Sequence, residues 1–323
     1  RIITESGLNT DTFKLASCIV ELSRSPEPQT AISNYYRFLE SATSYRHLIS
    51  ICLEKPVFEI LLRIFSSSNY LTNIIIKDPG LIMWLIEGDT LTGSRSYSSY
   101  MKELRTQIAP LRDPRRILNS IKRFKAREVL RIAVRDLLGI ATLDEVTAEL
   151  SYLADAIIQI VAELSFREVI QRFAPGTEWK MREESPYSNF AIISLGKLGG
   201  HELNYSSDID LLFISSEPDE RKEGEFYTSL ARQILENLTS VSEEGYLYRV
   251  DVRLRPDGES GPLVVTTTSH IYYMTNRAHD WEKQALLKAR GSAGNRVVIS
   301  TFMENCRKVL FDPLNPVAPV AQI

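Results

Sequence analysis

The chain has 323 residues, of which 44% are hydrophobic and 24% are charged, and its formal net charge is −3. This composition is typical of globular domains, and the length suffices for two domains with separate cores. The slightly negative charge argues against a general nucleic-acid-binding protein, which would carry an excess of basic residues.

Neither a membrane segment nor a disulfide framework is predicted. Apolar runs stay below the ~18 residues that a membrane span requires, and the first residues lack a signal-peptide pattern. Cys18, Cys52 and Cys306 are odd in number and scattered, as is typical of reduced thiols. We expect a cytoplasmic protein with no membrane and no nucleic-acid partner. Because the chain starts at Arg1 and has a proline-rich tail after Phe311, we also expect it to be a piece of a longer protein.

Residues 10–110 are predicted to form helices separated by short breaks. Apolar side chains recur three and four positions apart around Phe38 and again around Phe58. A segment rich in glycine, serine and threonine predicts a loop over residues 88–99. No combination of residues in this region indicates chemistry, so we interpret it as an interaction scaffold.

A basic stretch follows at residues 115–135. Glu128 is its only acidic residue, and on a helix the basic side chains would partly wrap around the axis. A solvated helix face and a docking surface for an acidic partner or a nucleotide phosphate both remain open. Gly139 is expected to end the helix. The basic residues are Arg115, Arg116, Lys122, Arg123, Lys125, Arg127, Arg131 and Arg135.

A capping box predicts the start of the next helix. In Thr142-Leu-Asp-Glu145 the hydroxyl and the carboxylate each satisfy a free amide at a helix N-terminus. An apolar stripe continues to about Phe173, where Pro175-Gly176 breaks the helix. Core packing alone explains this stripe, so we assign no site to it.

Residues 190–214 read as a strand, a glycine-rich turn and a second strand over residues 209–214. Side chains alternate between the faces of a strand, so Asp208 and Asp210 are expected to project together. Gly199 and Gly200 let the backbone approach a ligand and direct amides at it, which suits a phosphate.

A third carboxylate is predicted on a strand over residues 248–254. Strict alternation there puts Asp251 on a polar face with arginines, whose forked guanidinium groups suit phosphate. Three carboxylates within ~5 Å would repel by roughly 3 kcal/mol per pair at an effective dielectric of 20. Such a cluster needs a proton, an arginine or a metal ion, and we predict a metal ion.

Helices are predicted over residues 226–238 and 281–290, and a further strand over residues 263–266. Lys288 and Arg290, in the second of these helices, can either reach a phosphate or lie at the surface with buried stems.

Three blocks carry a resemblance to a known family. Residues 196–213 (GKLGGHELNYSSDIDLLF), 249–264 (RVDVRLRPDGESGPLV) and 280–290 (DWEKQALLKAR) resemble, in the same order, blocks of the bacterial glutamine synthetase adenylyltransferase/deadenylylase family. Weaker similarity reaches back to about Phe58. Asn295 departs from the family pattern, where an aspartate is expected.

The resemblance implies an α+β, predominantly helical fold, with a nucleotidyltransferase-type small mixed β-sheet and flanking helices joined to an all-helical region. We expect an N-terminal helical region at 1–113 and a catalytic domain at 114–323, with its core at about 187–300. One or two Mg²⁺ ions would be held by the catalytic residues Asp208, Asp210 and Asp251. Nucleotide and phosphate would be bound by Lys197, Gly199, Gly200, Ser207, Arg253 and Arg255.

The family has two catalytic halves: one adds AMP to a tyrosine of glutamine synthetase from ATP, and the other removes it by phosphorolysis as ADP. Segment 202–210 (ELNYSSDID) is more similar to the removing, N-terminal half. The implied partners are adenylylated glutamine synthetase, inorganic phosphate and an adenine nucleotide, with a PII-type nitrogen signal protein as a further candidate. The alternatives are the adenylylating half and a partner-binding regulatory domain with a vestigial site.

Overall fold

The computed structural model describes residues 12–44, 46–173, 189–216 and 221–311. Helices dominate, and five short strands form one mixed sheet, which confirms the predicted fold class. The α-helices are α1 (Thr12–Ser23), α2 (Pro28–Ser41), α3 (Arg46–Cys52), α4 (Lys55–Ser67), α5 (Asn69–Lys77), α6 (Leu81–Ile86), α7 (Tyr97–Ile108), α8 (Pro114–Leu137), α9 (Leu143–Phe173), α10 (Gly196–Gly199), α11 (Arg221–Thr239), α12 (Thr267–Asn276), α13 (Asp280–Ala285) and α14 (Arg296–Leu310). The strands are β1 (Phe190–Leu195), β2 (Ile209–Ser215), β3 (Val250–Asp251), β4 (Val264–Thr266) and β5 (Arg290–Gly294).

Three predicted features fall outside those residues: the helix break at Pro175-Gly176, the start of the catalytic core at 187 and the proline-rich tail. In the part of the chain that is described, no helix is both long and apolar enough to cross a membrane.

The chain divides into two compact units, Arg1–Arg95 with Lys125–Val146, and Ser96–Phe124 with Thr147–Ile323. The boundaries between the two units lie before α7, within α8 and within α9. The first unit contains helices without strands among its described residues, and its core is partly aromatic. Phe38 and Phe65 lie 5.7 Å apart between ring centroids, and Tyr35 lies 5.8 Å from Phe58. The helical spacing that predicted this packing is confirmed.

The capping box and the following helix are also confirmed. The Thr142 hydroxyl accepts a hydrogen bond from the Glu145 amide at 3.3 Å, and the Glu145 carboxylate accepts one from the Thr142 amide at 2.8 Å. Helix α9 then extends to Phe173, as predicted from its apolar stripe. Gly139 adopts a left-handed φ of 69°, two residues after α8 ends at Leu137.

The solvated-face interpretation of the basic stretch is wrong for some of its residues. In the first unit, Arg131 and Glu128 are both fully buried and form an ion pair at 2.9 Å, because a buried guanidinium needs a carboxylate partner. In the second unit, Lys122 is buried and donates to the Ser240 carbonyl oxygen at 2.8 Å. These cations stabilise the interior of their own unit.

The sheet of the second unit has the strand order β3-β2-β1-β5, and β4 also pairs with β2. β1 is antiparallel to both β2 and β5, whereas β3 and β4 run parallel to β2. β3 pairs with the start of β2, at Ile209 and Asp210, and β4 pairs with its end, at residues 213–215. The two strands therefore lie one after the other along the same edge of β2.

Both faces of the central strands are covered, which explains why every residue of β1 is buried. On one face, Ile193 and Leu212 belong to a core that includes Phe302 of α14. On the other face, Phe190 stacks on Tyr227 of α11 at a ring-centroid distance of 5.6 Å. The predicted helix at 226–238 lies within α11.

Two predicted elements are corrected by the structure. The strand predicted over 248–254 is reduced to Val250–Asp251, because β4 takes the remaining edge of β2 and Asp251 accepts a hydrogen bond from the Arg253 amide, which turns the chain. The helix predicted over 281–290 ends at Ala285, and a 3₁₀ turn leads into β5. Only Arg290 of the predicted helix enters β5, where it pairs with Ser194 of β1.

We expect His270→Phe to remove part of the acid sensitivity of folding. The imidazole is fully buried, lies edge-on to Phe302 at 4.8 Å between ring centroids, and has no hydrogen-bond partner for either nitrogen among the described residues. Burial lowers the pKa of His270 to about 4, whereas an unfolded histidine titrates near ~6.5. As the pH falls between these values, the unfolded state binds the extra proton, which removes up to roughly 3 kcal/mol of stability.

Urea unfolding at about pH 7.5 and about pH 5 measures this effect. Wild type should lose about 2 kcal/mol more between the two conditions than His270→Phe does. The exposed His47→Gln variant is the control and should keep the wild-type pH dependence. Equal losses in wild type and His270→Phe would contradict the prediction.

Candidate functional site

The turn after β1 brings the backbone against the carboxylates. Gly196 ends the strand with a left-handed φ of 54°, and α10 forms a single helical turn. A Cβ atom on Gly196 would lie 2.5 Å from Oδ2 of Asp210. Only glycine satisfies both the backbone conformation and this close approach. The sequence motif contained Gly196, but we did not predict it as a site residue; its position directly at the strand end was the available signal.

Gly199 and Gly200 differ in what surrounds them. A Cβ atom on Gly199 would lie 2.1 Å from the backbone oxygen of Lys288 and 2.8 Å from that of Ser194. A Cβ atom on Gly200 would meet only side chains, with Cδ of Lys288 at 3.0 Å. Gly199 is therefore required for backbone packing. Ser207, the third predicted cradle residue, donates to Oδ1 of Asn204 at 2.6 Å.

Two of the predicted carboxylates are paired by the sheet register. Asp210 of β2 and Asp251 of β3 are direct partners in the parallel ladder. Asp208 lies just before β2 and is exposed, but its charge still acts on Asp210. All three aspartates thus lie at the same end of the sheet.

Arginines hold the two outer carboxylates. Arg249 donates to Asp208 at 2.5 Å, and Arg253 donates to Asp251 at 2.5 Å. The hydrogen bonds from Arg253 lower the pKa of Asp251. Arg255 is buried and donates to three backbone oxygens of residues 252–261, so it braces this turn. Its role as a phosphate ligand stays a prediction.

Asp210 is the carboxylate without a close cation. No described residue forms a hydrogen bond or ion pair with it, and burial raises its pKa, followed by the charges of Asp251 and Asp208. The opposing effects of Arg253 and of the exposed Lys197 are smaller. The site therefore carries uncompensated negative charge at a half-buried position.

The donor chemistry fits a divalent cation, because hard ions such as Mg²⁺ prefer carboxylate oxygens. Within the described ranges, however, no three His, Cys, Asp or Glu side chains are already grouped to hold a metal ion. Asp208 and Asp251 would have to leave Arg249 and Arg253 to join Asp210. The released arginines would then be available to phosphate oxygens.

The remaining cations lie around the glycine turn. Lys288 forms an ion pair with Glu202 at 2.6 Å beside Gly200. Arg290 is not a surface charge, since it points inward and pairs with Asp155 of α9 at 2.8 Å. Asp155 was not predicted as a site residue, because nothing in its helical context distinguishes it from a core position.

Asn295, where the family pattern has an aspartate, caps α14 by accepting a hydrogen bond from the Val297 amide at 2.7 Å.

Comparison with known proteins identifies relatives of this chain. Residues 58–305 match the family model described as glutamate-ammonia ligase adenylyltransferase. The bifunctional glutamine synthetase adenylyltransferase/adenylyl-removing enzyme of Nitrosococcus oceani is 34% identical over 274 residues, covering 83% of this chain and 28% of the relative. The enzyme of the same name from Mannheimia haemolytica is 32% identical over 287 residues, covering 85% of this chain and 29% of the relative. The chain therefore spans less than a third of the length of these relatives.

We expect Gly199→Ala to destabilise the second unit by roughly 1–3 kcal/mol, because its methyl group would overlap two backbone oxygens. Gly200→Ala is the matched control, since its methyl group meets only the flexible side chains of Lys288 and Glu202. Thermal unfolding of both variants measures the difference. Equal melting temperatures would show that the backbone of Lys288 does not lie against Gly199 in solution.

We expect Asp210→Asn to raise the melting temperature of the metal-free protein by about 2–4 °C, because the change removes a half-buried charge beside two carboxylates. We also expect Mg²⁺ to stabilise the wild type and not the variant. The exposed Asp257→Asn variant is the control and should respond to Mg²⁺ like the wild type, because Asp257 pairs with Arg277 and is not among the charges that act on Asp210. A wild-type response to Mg²⁺ in Asp210→Asn would exclude Asp210 as a ligand.

Proposed function

The chain belongs to the glutamate-ammonia ligase adenylyltransferase family, and from that premise we propose that it removes AMP from adenylylated glutamine synthetase by phosphorolysis. The names of the relatives support glutamine synthetase as the protein substrate. Those names cover both adenylyl transfer and adenylyl removal, so the assignment to the removing half is our inference.

The observation that carries the proposal is the pairing of Asp210 with Asp251 beside a glycine turn. Because the Gly196 backbone lies directly against Asp210, a phosphate bound by the turn would lie next to the carboxylates. The uncompensated charge at Asp210 supports a cation at the same place. A nucleotidyl-transfer site needs this combination of metal ligands and a phosphate cradle.

The proposed reaction exchanges one oxygen substituent on phosphorus. An oxygen of inorganic phosphate bonds to the AMP phosphorus, the bond from phosphorus to the tyrosine oxygen breaks, and the proton of the phosphate passes to the phenolate. The products are ADP and unmodified tyrosine. No side chain has to act as a covalent nucleophile.

The acidic residues, the basic residues and the small residues of the site would have different roles. Asp208, Asp210 and Asp251 would hold one or two Mg²⁺ ions, which would neutralise charge on the phosphates. Arg253, Arg255 and Lys197 would bind phosphate oxygens, while Gly199, Gly200 and Ser207 would shape the cradle. Because Arg255 already binds three backbone oxygens, Arg253 is the better placed of the two arginines.

The direction of reaction rests on segment 202–210, which is more similar to the removing half of the family; this is an argument by analogy. The arginines on the polar face would serve a departing pyrophosphate as well as an attacking phosphate. A PII-type nitrogen signal protein is a further candidate partner.

The purified chain should release AMP from adenylylated glutamine synthetase as ADP, and only when phosphate and Mg²⁺ are both present. Radiolabelled AMP on the tyrosine gives the readout, with product identity established by chromatography. Asp210→Ala and Asp251→Ala should abolish release, whereas Asp257→Asn should keep it, because Asp257 lies outside the carboxylate cluster.

The opposite assay uses ATP, Mg²⁺ and unmodified glutamine synthetase. Efficient incorporation of AMP would assign the chain to the adenylylating half. Absence of both reactions, with the fold intact, would favour a regulatory domain with a vestigial site.

A further inference from the structure

Helix α9 contacts the glycine-rich segment along one of its faces. The Ser151 hydroxyl accepts a hydrogen bond from the Leu203 amide at 3.2 Å, and the Tyr152 ring lies 5.1 Å from the His201 ring. One turn further along, Asp155 forms its ion pair with Arg290. All three contacts come from residues that lie side by side on a helix surface.

Arg290 links Asp155 to the backbone of the glycine turn. Its guanidinium donates to the carbonyl oxygen of Leu198 at 2.9 Å and to that of Gly199 at 3.3 Å. The same group contacts both Asp155 oxygens, at 2.8 Å and 3.1 Å. The Asp155 carboxylate is 95% buried, and Arg290 is largely buried. Four contacts leave at most one of the five N–H groups for any other partner.

We propose that the Asp155–Arg290 pair positions the glycine turn for phosphate binding, and that Arg290 is a positioning residue rather than a phosphate ligand. The carbonyl oxygens that it holds belong to Leu198 and Gly199, inside the turn that contains the predicted cradle residues Gly199 and Gly200. A forked contact to phosphate would require Arg290 to release the turn. This inference rests on the proposed function for its effect on phosphate, but the clamp itself can be tested without any activity.

Hydrogen–deuterium exchange of the peptide covering residues 196–203 tests the clamp directly. The amides of Gly200, His201 and Glu202 are hydrogen-bonded within the turn, so loosening the turn should speed their exchange several-fold. We expect this in Arg290→Gln and in Asp155→Leu/Arg290→Met. Exchange at wild-type rates in both variants would overturn the proposal.

The double variant separates positioning from stability. Arg290→Gln leaves the buried Asp155 carboxylate unpaired and should lower the melting temperature. Replacing both members by apolar side chains of similar size should restore the melting temperature, because a buried ion pair is often exchangeable for apolar packing. The restored protein should still have a fast-exchanging turn. A purely structural role predicts that exchange and activity recover together with the melting temperature.

Kinetics of phosphorolysis then test the consequence for phosphate. In Asp155→Leu/Arg290→Met, the KM for inorganic phosphate should rise by about 10- to 100-fold, because a displaced turn would no longer fit the phosphate. Arg290→Lys should give an intermediate KM, since a lysine can pair with Asp155 but cannot fork to two carbonyl oxygens. An unchanged KM with a fast-exchanging turn would also refute the positioning role.

Arg105→Gln is the matched control. Arg105 pairs with Glu163 at 2.5 Å on the same helix α9, two turns beyond Asp155, without contact to the glycine turn. This variant should keep wild-type hydrogen–deuterium exchange at residues 196–203 and a wild-type KM.

If the wild type shows no phosphorolysis, the proposed function fails, and the ADP affinity measured by calorimetry takes the place of the KM. Equal ADP affinity in wild type and in the double variant would then overturn the positioning role.

Discussion

The backbone at Gly199 lies so close to the backbone of Lys288 that no side chain fits between them. This contact joins the turn after β1 to the segment that enters β5, and β5 in turn pairs with β1. The turn is therefore held against its own sheet. At Gly196 a side chain is likewise excluded, because Asp210 approaches the backbone there. The position of the carboxylates depends on these two glycines.

Charge is distributed unevenly across the site. Asp208 and Asp251 each have an arginine, whereas Asp210 has no close cation in the described structure. Because a half-buried carboxylate beside two others is electrostatically unfavourable, the site is suited to an added cation. Ion pairs with exposed arginines contribute little to stability, so exchanging them for metal and phosphate contacts costs little.

Arginines that look alike in the sequence have different roles in the structure. Arg253 is exposed and paired only with Asp251, so it can move to a ligand. Arg255, two residues later, is buried and binds carbonyl oxygens of its own turn. Arg131 in the other unit is completely buried with Glu128. Side-chain chemistry permits phosphate binding in every case, and burial decides which guanidinium group is free to do it.

The sequence by itself determined the features that depend on local interactions. The apolar runs and glycines around 190–214 predicted two strands and a turn, and Thr142 with Glu145 predicted a helix start, because these signals act within a few residues. The tertiary structure decided where pairing and burial act over long separations. It restricted β3 to Val250–Asp251, ended the helix predicted over 281–290 at Ala285, and turned Arg290 inward to Asp155. Those outcomes depend on neighbours that are distant in sequence, and no local pattern encodes them.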